Sequence, residues 1–262
     1  MSGTAIYLQA IGVQAPGLSG WQDYVAATAE TDWAVSEDWS TVPFCLSPRQ
    51  AKRLSGPTLI SLACAEQIGD AIGAEAGWVF ASSLGEGLTL DVILQALSEE
   101  EILISPMKFQ NAVHNAAVGQ WTIAKTLQGP STSIAAFDDT AGAGLLKAWM
   151  QCSLEQRSVG LVVYDWPLSG PLLEKRPMSA PLAVGMAFSP VRTDASVRRI
   201  ICRTGNDEVS ASRSAVGKAM HATGNPAGAM SSLLDLLASD AEGAVTLGLS
   251  GGSRLQVEVS DP

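Results

Sequence analysis

Two histidines in 262 residues, and four cysteines of which no two form a CxxC pair, remove several chemistries at once. A zinc ribbon or a thioredoxin-like motif needs paired cysteines. No other metal-ligand spacing or nucleotide fingerprint exists, and Gly85-Glu86-Gly87 reads as a turn rather than a phosphate loop, so the sequence predicts neither metal nor cofactor. Charge is also scarce: 16% of residues are Asp, Glu, Lys or Arg, against 47% hydrophobic. That balance excludes a disordered chain and points to apolar surface covered by a partner. The net charge of −10, with no basic run longer than Arg198-Arg199, excludes a nucleic-acid backbone or an anionic membrane surface as partner. No apolar run reaches the roughly 18 residues of a membrane span. The opening "MSGTAIYLQAIGVQ" has neither the charged nor the apolar region of a secretory signal. The expectation is a cytoplasmic protein with reduced thiols.

What is present is an alternation of strand-like and helix-like segments. "TAIYLQAIGVQAP" reads as a first strand ending at Pro16-Gly17. Gly20 to Val42, with Trp21, Trp33 and Trp39, reads as loop with a short helix. Ser47-Pro48 is an N-cap followed by proline at the first helical position. A helix over roughly Gly56 to Ile72 follows, closed by Gly73, with Cys64 packed inside it as a small hydrophobe. "GWVFASSLG" is a strand, "LTLDVILQALSE" an amphipathic helix, and "SPMKFQNAVHNAAVGQWTIAKTLQG" a loop running into one long helix. Then come a strand "PSTSIAAF", a helix "TAGAGLLKAWMQCSLEQ" and a buried strand "SVGLVVYDW". Beyond Pro167 the expectation is a Pro-rich connection, the strands "LAVGMAFSPV" and "SVRRIICRT", an irregular polar stretch and the helix "GAMSSLLDLLAS". A closing hairpin pairs "GAVTLGLS" with "SRLQVEVS". This order predicts a layered α/β fold around a largely parallel sheet, with no long interdomain linker.

The segment Gly129 to Leu146, "GPSTSIAAFDDTAGAGLL", is strand, sharp turn and helix, the place where α/β enzymes carry a nucleophile. The turn holds Phe137-Asp138-Asp139-Thr140 and no Cys, Ser or Lys. Asp138 and Asp139 at a helix start are expected to cap it, worth about 1 kcal/mol, with Thr140 sharing the work. General acid/base catalysis by Asp138 is the sharper alternative, but no second carboxylate is placed by sequence to form a dyad with it.

Around this turn the residues resemble the β-ketoacyl synthases. Asn111, Ala117-Val118-Gly119, Thr122-Ile123 and Gly129-Pro130-Ser131 match that pattern in order, and Ser131 to Ala135 is similar to the strand that delivers the catalytic cysteine. "VGMAFSPVRTDASVRRIICR" and "VTLGLSGGSRLQVEV" resemble the strand pair and closing hairpin of the second half of those enzymes. The resemblance implies a thiolase-like layered α/β/α fold in one domain, with a complete first half over residues 1–167 and a reduced second half over 168–262. It aligns Asp138 with the nucleophile. His114 precedes that position, and His221, in "HATGNPAG", only faintly echoes a catalytic histidine motif, so a loop or solvent-facing histidine is expected.

A condensing enzyme needs a thiolate at a helix N-terminus and histidines for decarboxylation; with Asp138 in that place the resemblance implies a non-catalytic, chain-length-factor-like subunit. Its expected partner is an active β-ketoacyl synthase, in a heterodimer built on the strand Ser131, Thr132, Ser133, Ile134, Ala135, Ala136 and continuing to Phe137. Met107, Phe109, Gln110 and Asn111 are expected to reach the acyl tunnel and set its depth. An acyl carrier protein is expected to act through the complex, since direct docking on so acidic a chain needs clustered bases such as Lys52, Arg53 and Lys108. The small size, "PGLSGW" and "VHNAAVGQW" further resemble short ketosynthase-like proteins of aryl polyene pigment pathways of the xanthomonadin and flexirubin type, beside polyketide and fatty-acid-like elongation. The alternatives are a stand-alone acyl-thioester enzyme (a malonyl-carrier-protein decarboxylase or hydrolase using Asp138) and a carrier-protein scaffold.

Overall fold

The computed structural model describes residues 4–36, 39–101 and 103–262; Glu37 and Asp38, in the expected Gly20–Val42 loop, lie outside them. Strand β1 (Ile6–Gln14) leads through α1 (Trp21–Ala27) and α2 (Pro48–Ala51) to α3 (Gly56–Gly69). Then follow β2 (Gly77–Ala81), α4 (Gly87–Leu97), α5 (Pro106–Asn111), α6 (Ala116–Lys125), β3 (Ser131–Ile134), α7 (Thr140–Glu155) and β4 (Val159–Asp165). The remainder is α8 (Gly170–Lys175), β5 (Leu182–Ser189), β6 (Arg198–Gly205), α9 (Ala215–Ala222), α10 (Ser231–Ala238), β7 (Gly243–Gly248) and β8 (Arg254–Ser260).

Local chemistry explains several of these elements. Ser47 accepts from the Gln50 amide while the Gln50 side chain reaches back to the Ser47 amide, a reciprocal capping box at the start of α2. β2 and β4 are buried along their whole length, as their unbroken apolar runs require of strands covered on both faces. β8 alternates half-buried and buried residues and turns Leu255, Val257 and Val259 to the core.

The described residues form one eight-stranded sheet in the order β3-β2-β4-β5-β1-β6-β8-β7. Only β2 with β3 and β2 with β4 are parallel; the other five pairings are antiparallel. The expected largely parallel sheet is therefore mixed. Between β4 and β5 the chain carries only α8, six residues or about 9 Å long, and not the strand-length crossover helix that a parallel return uses.

On one face, α3 and α6 cover a core holding Trp78, Phe80, Trp121 and Tyr164, where Trp78 and Trp121 meet edge-on at 4.9 Å. Such a pair adds about 0.5–1.5 kcal/mol to its area burial. Cys64 is buried there within α3. On the other face lies α7, which packs against β2 and β4 and also against β7 and β8. In a flat sheet β2 and β7, six strands apart, would be about 29 Å from each other. The sheet instead curls around the helix, pivoting where β1 and β6 share only three residue pairs. Two glycines let both walls approach. A Cβ at Gly142 would overlap the Gly248 carbonyl of β7, and one at Gly144 would overlap the Ala81 side chain of β2.

The two outer strands differ. In β7, the Thr246 carbonyl accepts the Ser210 amide at 2.9 Å and the Thr246 amide donates to the Ser210 hydroxyl at 3.0 Å, so a loop covers this edge at Thr246. Among the described residues β3 pairs with β2 alone.

Three more expectations are corrected. The long helix after Ser105 is two, α5 and α6, because residues 112–115 turn aside to place His114. The irregular stretch after β6 contains α9, capped by the Ser214 hydroxyl on the Gly217 amide and anchored by buried Val216 and Met220. The Pro-rich connection contains α8.

Candidate functional site at the strand-to-helix elbow

The parallel strands β3, β2 and β4 end side by side, and their carboxyl ends mark the end of an open α/β sheet at which ligands bind. Three features meet there: the elbow between β3 and α7, the loop 82–86 after β2, and Asp165 at the end of β4.

The elbow is tighter than the sequence implied. β3 stops at Ile134, so Ala135 and Ala136 lie beyond the strand expected to include them. Phe137 has φ +55, the left-handed region that a bulky side chain avoids. Its ring is nonetheless 66% exposed. Thr140 holds the turn: its hydroxyl donates to the Phe137 carbonyl at 2.6 Å and its oxygen accepts the Ala136 amide at 3.0 Å. Neither Asp138 nor Asp139 caps a helix through its side chain, which corrects the expected role. Asp138 instead pairs with Arg176, next to the end of α8. Asp139 stands close to Gly248 of β7. The strained residue of a nucleophile elbow, the one it thrusts into the open, is here Phe137, one position before Asp138.

Arg176 was not singled out by the sequence. Its guanidinium lies 4.4 Å from the centre of the Phe137 ring, and Nη2 donates to the Ser83 hydroxyl at 3.3 Å. Asp165, almost wholly buried, accepts the Ser82 hydroxyl at 2.7 Å, the Ser83 amide at 2.9 Å and the Leu84 amide at 3.2 Å. Burial pushes this carboxyl above its ordinary value, although those donors oppose the rise. Gly85, at φ +53, completes the expected turn, and buried Glu86 accepts hydroxyls of Ser55, Thr58 and Thr89.

His114 ties this loop to the edge strand. Its Nε2 is 2.9 Å from the Ser82 carbonyl, so that nitrogen carries a hydrogen and donates it. Nδ1 lies 2.9 Å from the Ser133 hydroxyl of β3, and Ser133 also reaches the His114 carbonyl at 3.1 Å. His114 is thus a positioning residue. His221 is exposed in the last turn of α9.

The other expected residues fall on two surfaces. Ser131, Thr132, Ser133 and Ile134 make up β3. The Pro130 and Ile134 carbonyls accept from Trp78 and Ser82, so the even-numbered residues bond to β2 and Ser131 and Ser133 turn their backbone groups outward. Met107, Phe109, Gln110 and Asn111 lie on α5, which has no buried residue. Met107 and Asn111 line a trough of about 390 Å³ together with Leu88, Val92 and the three bases Lys52, Arg53 and Lys108. Phe109, 67% exposed, and Gln110 stand outside it.

The four cysteines are far less acidic than a free thiol. Burial pushes Cys152 up to about 12; burial and then Glu66 push Cys45 up to about 12; burial raises Cys64 and Cys202 further. Among the described residues no three His, Cys, Asp or Glu converge as metal ligands, and no helix is long and apolar enough to cross a membrane.

A family model described as "Beta-ketoacyl synthase, N-terminal domain" matches residues 21–248. A comparison with curated proteins found no match. Among solved structures, the chain is similar to one from the complex of the ketosynthase ApeO with its chain length factor ApeC of Xenorhabdus doucetiae. The TM-score is 0.73 and the identity 20%, over 97% of this chain and 99% of that one. A chain of the ishigamide ketosynthase/chain length factor aligns at TM-score 0.68 and 11% identity, over 98% and 99%. One from AntDE:AntF, a type II polyketide acyl-carrier protein in complex with its hexaketide-bound ketosynthase, aligns at TM-score 0.71 and 9% identity, over 99% and 100%. At these identities the likeness is one of fold, and that fold is the thiolase-like ketosynthase architecture.

Proposed function

Because this chain belongs to the β-ketoacyl synthase N-terminal-domain family, we propose that it is a non-catalytic, chain-length-factor-type subunit that pairs with an active ketosynthase in polyketide assembly. One observation carries the reading: the elbow where a synthase presents its cysteine presents Phe137 and Asp138, while β3 leading into it is an open edge. An open edge with outward backbone groups is a template for another chain. Here Ser131, Ser133 and Ala135 would supply those groups, and the exposed ring of Phe137 would stand at the seam.

Residues 1–167 would then form the complete first thiolase half and 168–262 the reduced second. The exposed Met107 and Phe109, with Gln110 and Asn111, would border the partner's acyl tunnel and limit its depth. The resemblance of "PGLSGW" and "VHNAAVGQW" to short ketosynthase-like proteins of aryl polyene pathways supports aryl polyene assembly as the setting. Lys52, Arg53 and Lys108 on one trough favour a direct contact with an acidic acyl carrier protein as well.

Co-expression with an active full-length β-ketoacyl synthase from the same source, followed by gel filtration, tests the proposal. A single peak holding both chains is expected. Two independent peaks, or extension of a loaded thioester by this chain alone, would overturn it.

A further inference from the structure

Arg176 and Asp138 form an unequal pair. The Arg176 side chain is 17% exposed, whereas that of Asp138 is 77% exposed. The cation is built into the fold: it lies over the Phe137 ring, donates to Ser83, and its Nε is buried without a partner among the described residues. The anion is a loose tenant, since a carboxylate so open to water gains little from one such contact.

The cradle also offers more than this tenant takes. Asp138 engages Arg176 through Oδ1 only. The Ser83 hydroxyl accepts from Arg176 at 3.3 Å and, like the Ser83 amide at 2.9 Å, faces Asp165, so an anion in the cradle would compete with Asp165 for the hydroxyl hydrogen. A free carboxylate can span guanidinium and hydroxyl with both oxygens, the two-point geometry that makes arginine a strong carboxylate receptor. The position is at the carboxyl ends of β2, β3 and β4, the end of the sheet at which such folds receive ligands.

We propose that Arg176 and Ser83 form a carboxylate-binding site that Asp138 occupies from within, closing it to small carboxylate ligands. Asp138 is then an internal stand-in for a ligand whose end group, a methylene carrying a carboxylate, matches its own side chain. The inference rests on this chain's own cradle and does not require the pairing reading.

Calorimetric titration of the full chain with malonate, with acetate, and with inorganic phosphate tests it. Asp138→Ala is expected to bind malonate at least about tenfold more tightly than the unaltered chain, and Arg176→Gln in that background to abolish the gain. Asp138→Asn, which keeps the shape of the side chain, should show the same direction. Equal malonate affinity with and without Asp138, no binding by either variant, a gain that survives Arg176→Gln, or preference for phosphate over malonate would each overturn the proposal. Loss of the synthase partner in gel filtration would leave these titrations unchanged, so the two readings fail separately.

Discussion

The hydroxyl of Thr140 donates to the carbonyl of Phe137 at 2.6 Å across the turn that opens α7. The same oxygen takes the Ala136 amide, so one buried threonine fixes both sides of the strained residue. The unfavourable φ of Phe137 persists because its neighbours leave it no alternative.

Thr140→Val keeps the branched shape and removes both bonds, stranding the Ala136 amide. Stability in urea unfolding is expected to fall by about 1–3 kcal/mol, whereas Asp138→Ala should cost under about 0.5 kcal/mol, as exposed substitutions do.

Phe137→Gly relieves the left-handed strain, which costs about 1–2 kcal/mol in a bulky residue, and gives up a contact with Arg176 worth about 0.5–1 kcal/mol. The isolated chain should change in stability by under about 1 kcal/mol. If the ring serves a partner, affinity for the synthase should fall at least about tenfold in the same variant. A stability loss above about 2 kcal/mol would assign the ring to the fold instead.

Ser131→Pro removes an outward amide from β3 and leaves the ladder to β2 intact, since proline is tolerated on the free side of an edge strand. Circular dichroism is expected to report an unchanged fold and gel filtration a lost complex. An undisturbed complex would mean that the chains join elsewhere.

Asp235 gathers the Tyr24 hydroxyl at 2.7 Å, the Ser212 hydroxyl at 2.6 Å, the Ser214 hydroxyl, and the amides of Arg213 and Ser214. Burial alone would raise this carboxyl; the hydrogen bonds outweigh it and hold it below its ordinary value. A depressed folded value means stability that is present above the unfolded value of about 3.9 and lost as pH falls through the folded one. Asp235→Asn should therefore destabilise the protein at pH 7, by about 1.5–3 kcal/mol for a charged acceptor. The gap between the two chains in urea should narrow as pH drops below about 4.

Particular residues explain what the sequence disclosed. Continuous apolar runs such as "VGLVVYD" announce buried strands wherever they fall, so β1, β2, β4 and the β7–β8 hairpin were legible. Strand direction is not written in those residues, and the mixed sheet could not be read from them. The break between α5 and α6 carries no Gly or Pro; it is imposed by His114 reaching Ser82 and Ser133, partners 32 and 19 positions away. Asp138 invited a local capping role because its true partner, Arg176, lies 38 positions on, inside a stretch that looked like connection. The signal for α9, Ser214 followed by Val216 and Met220 four apart, was present and outweighed by its polar surroundings.

The two margins of the sheet bear on how large an assembly this chain can build. Were both margins available, each protein added would expose a fresh one, and growth would run on into filaments. Ser210 fastened across Thr246 obstructs the far margin at its middle, whereas the described residues leave the near one open. If chains join along β3, as proposed, the obstruction at Thr246 would favour a pair over an open filament.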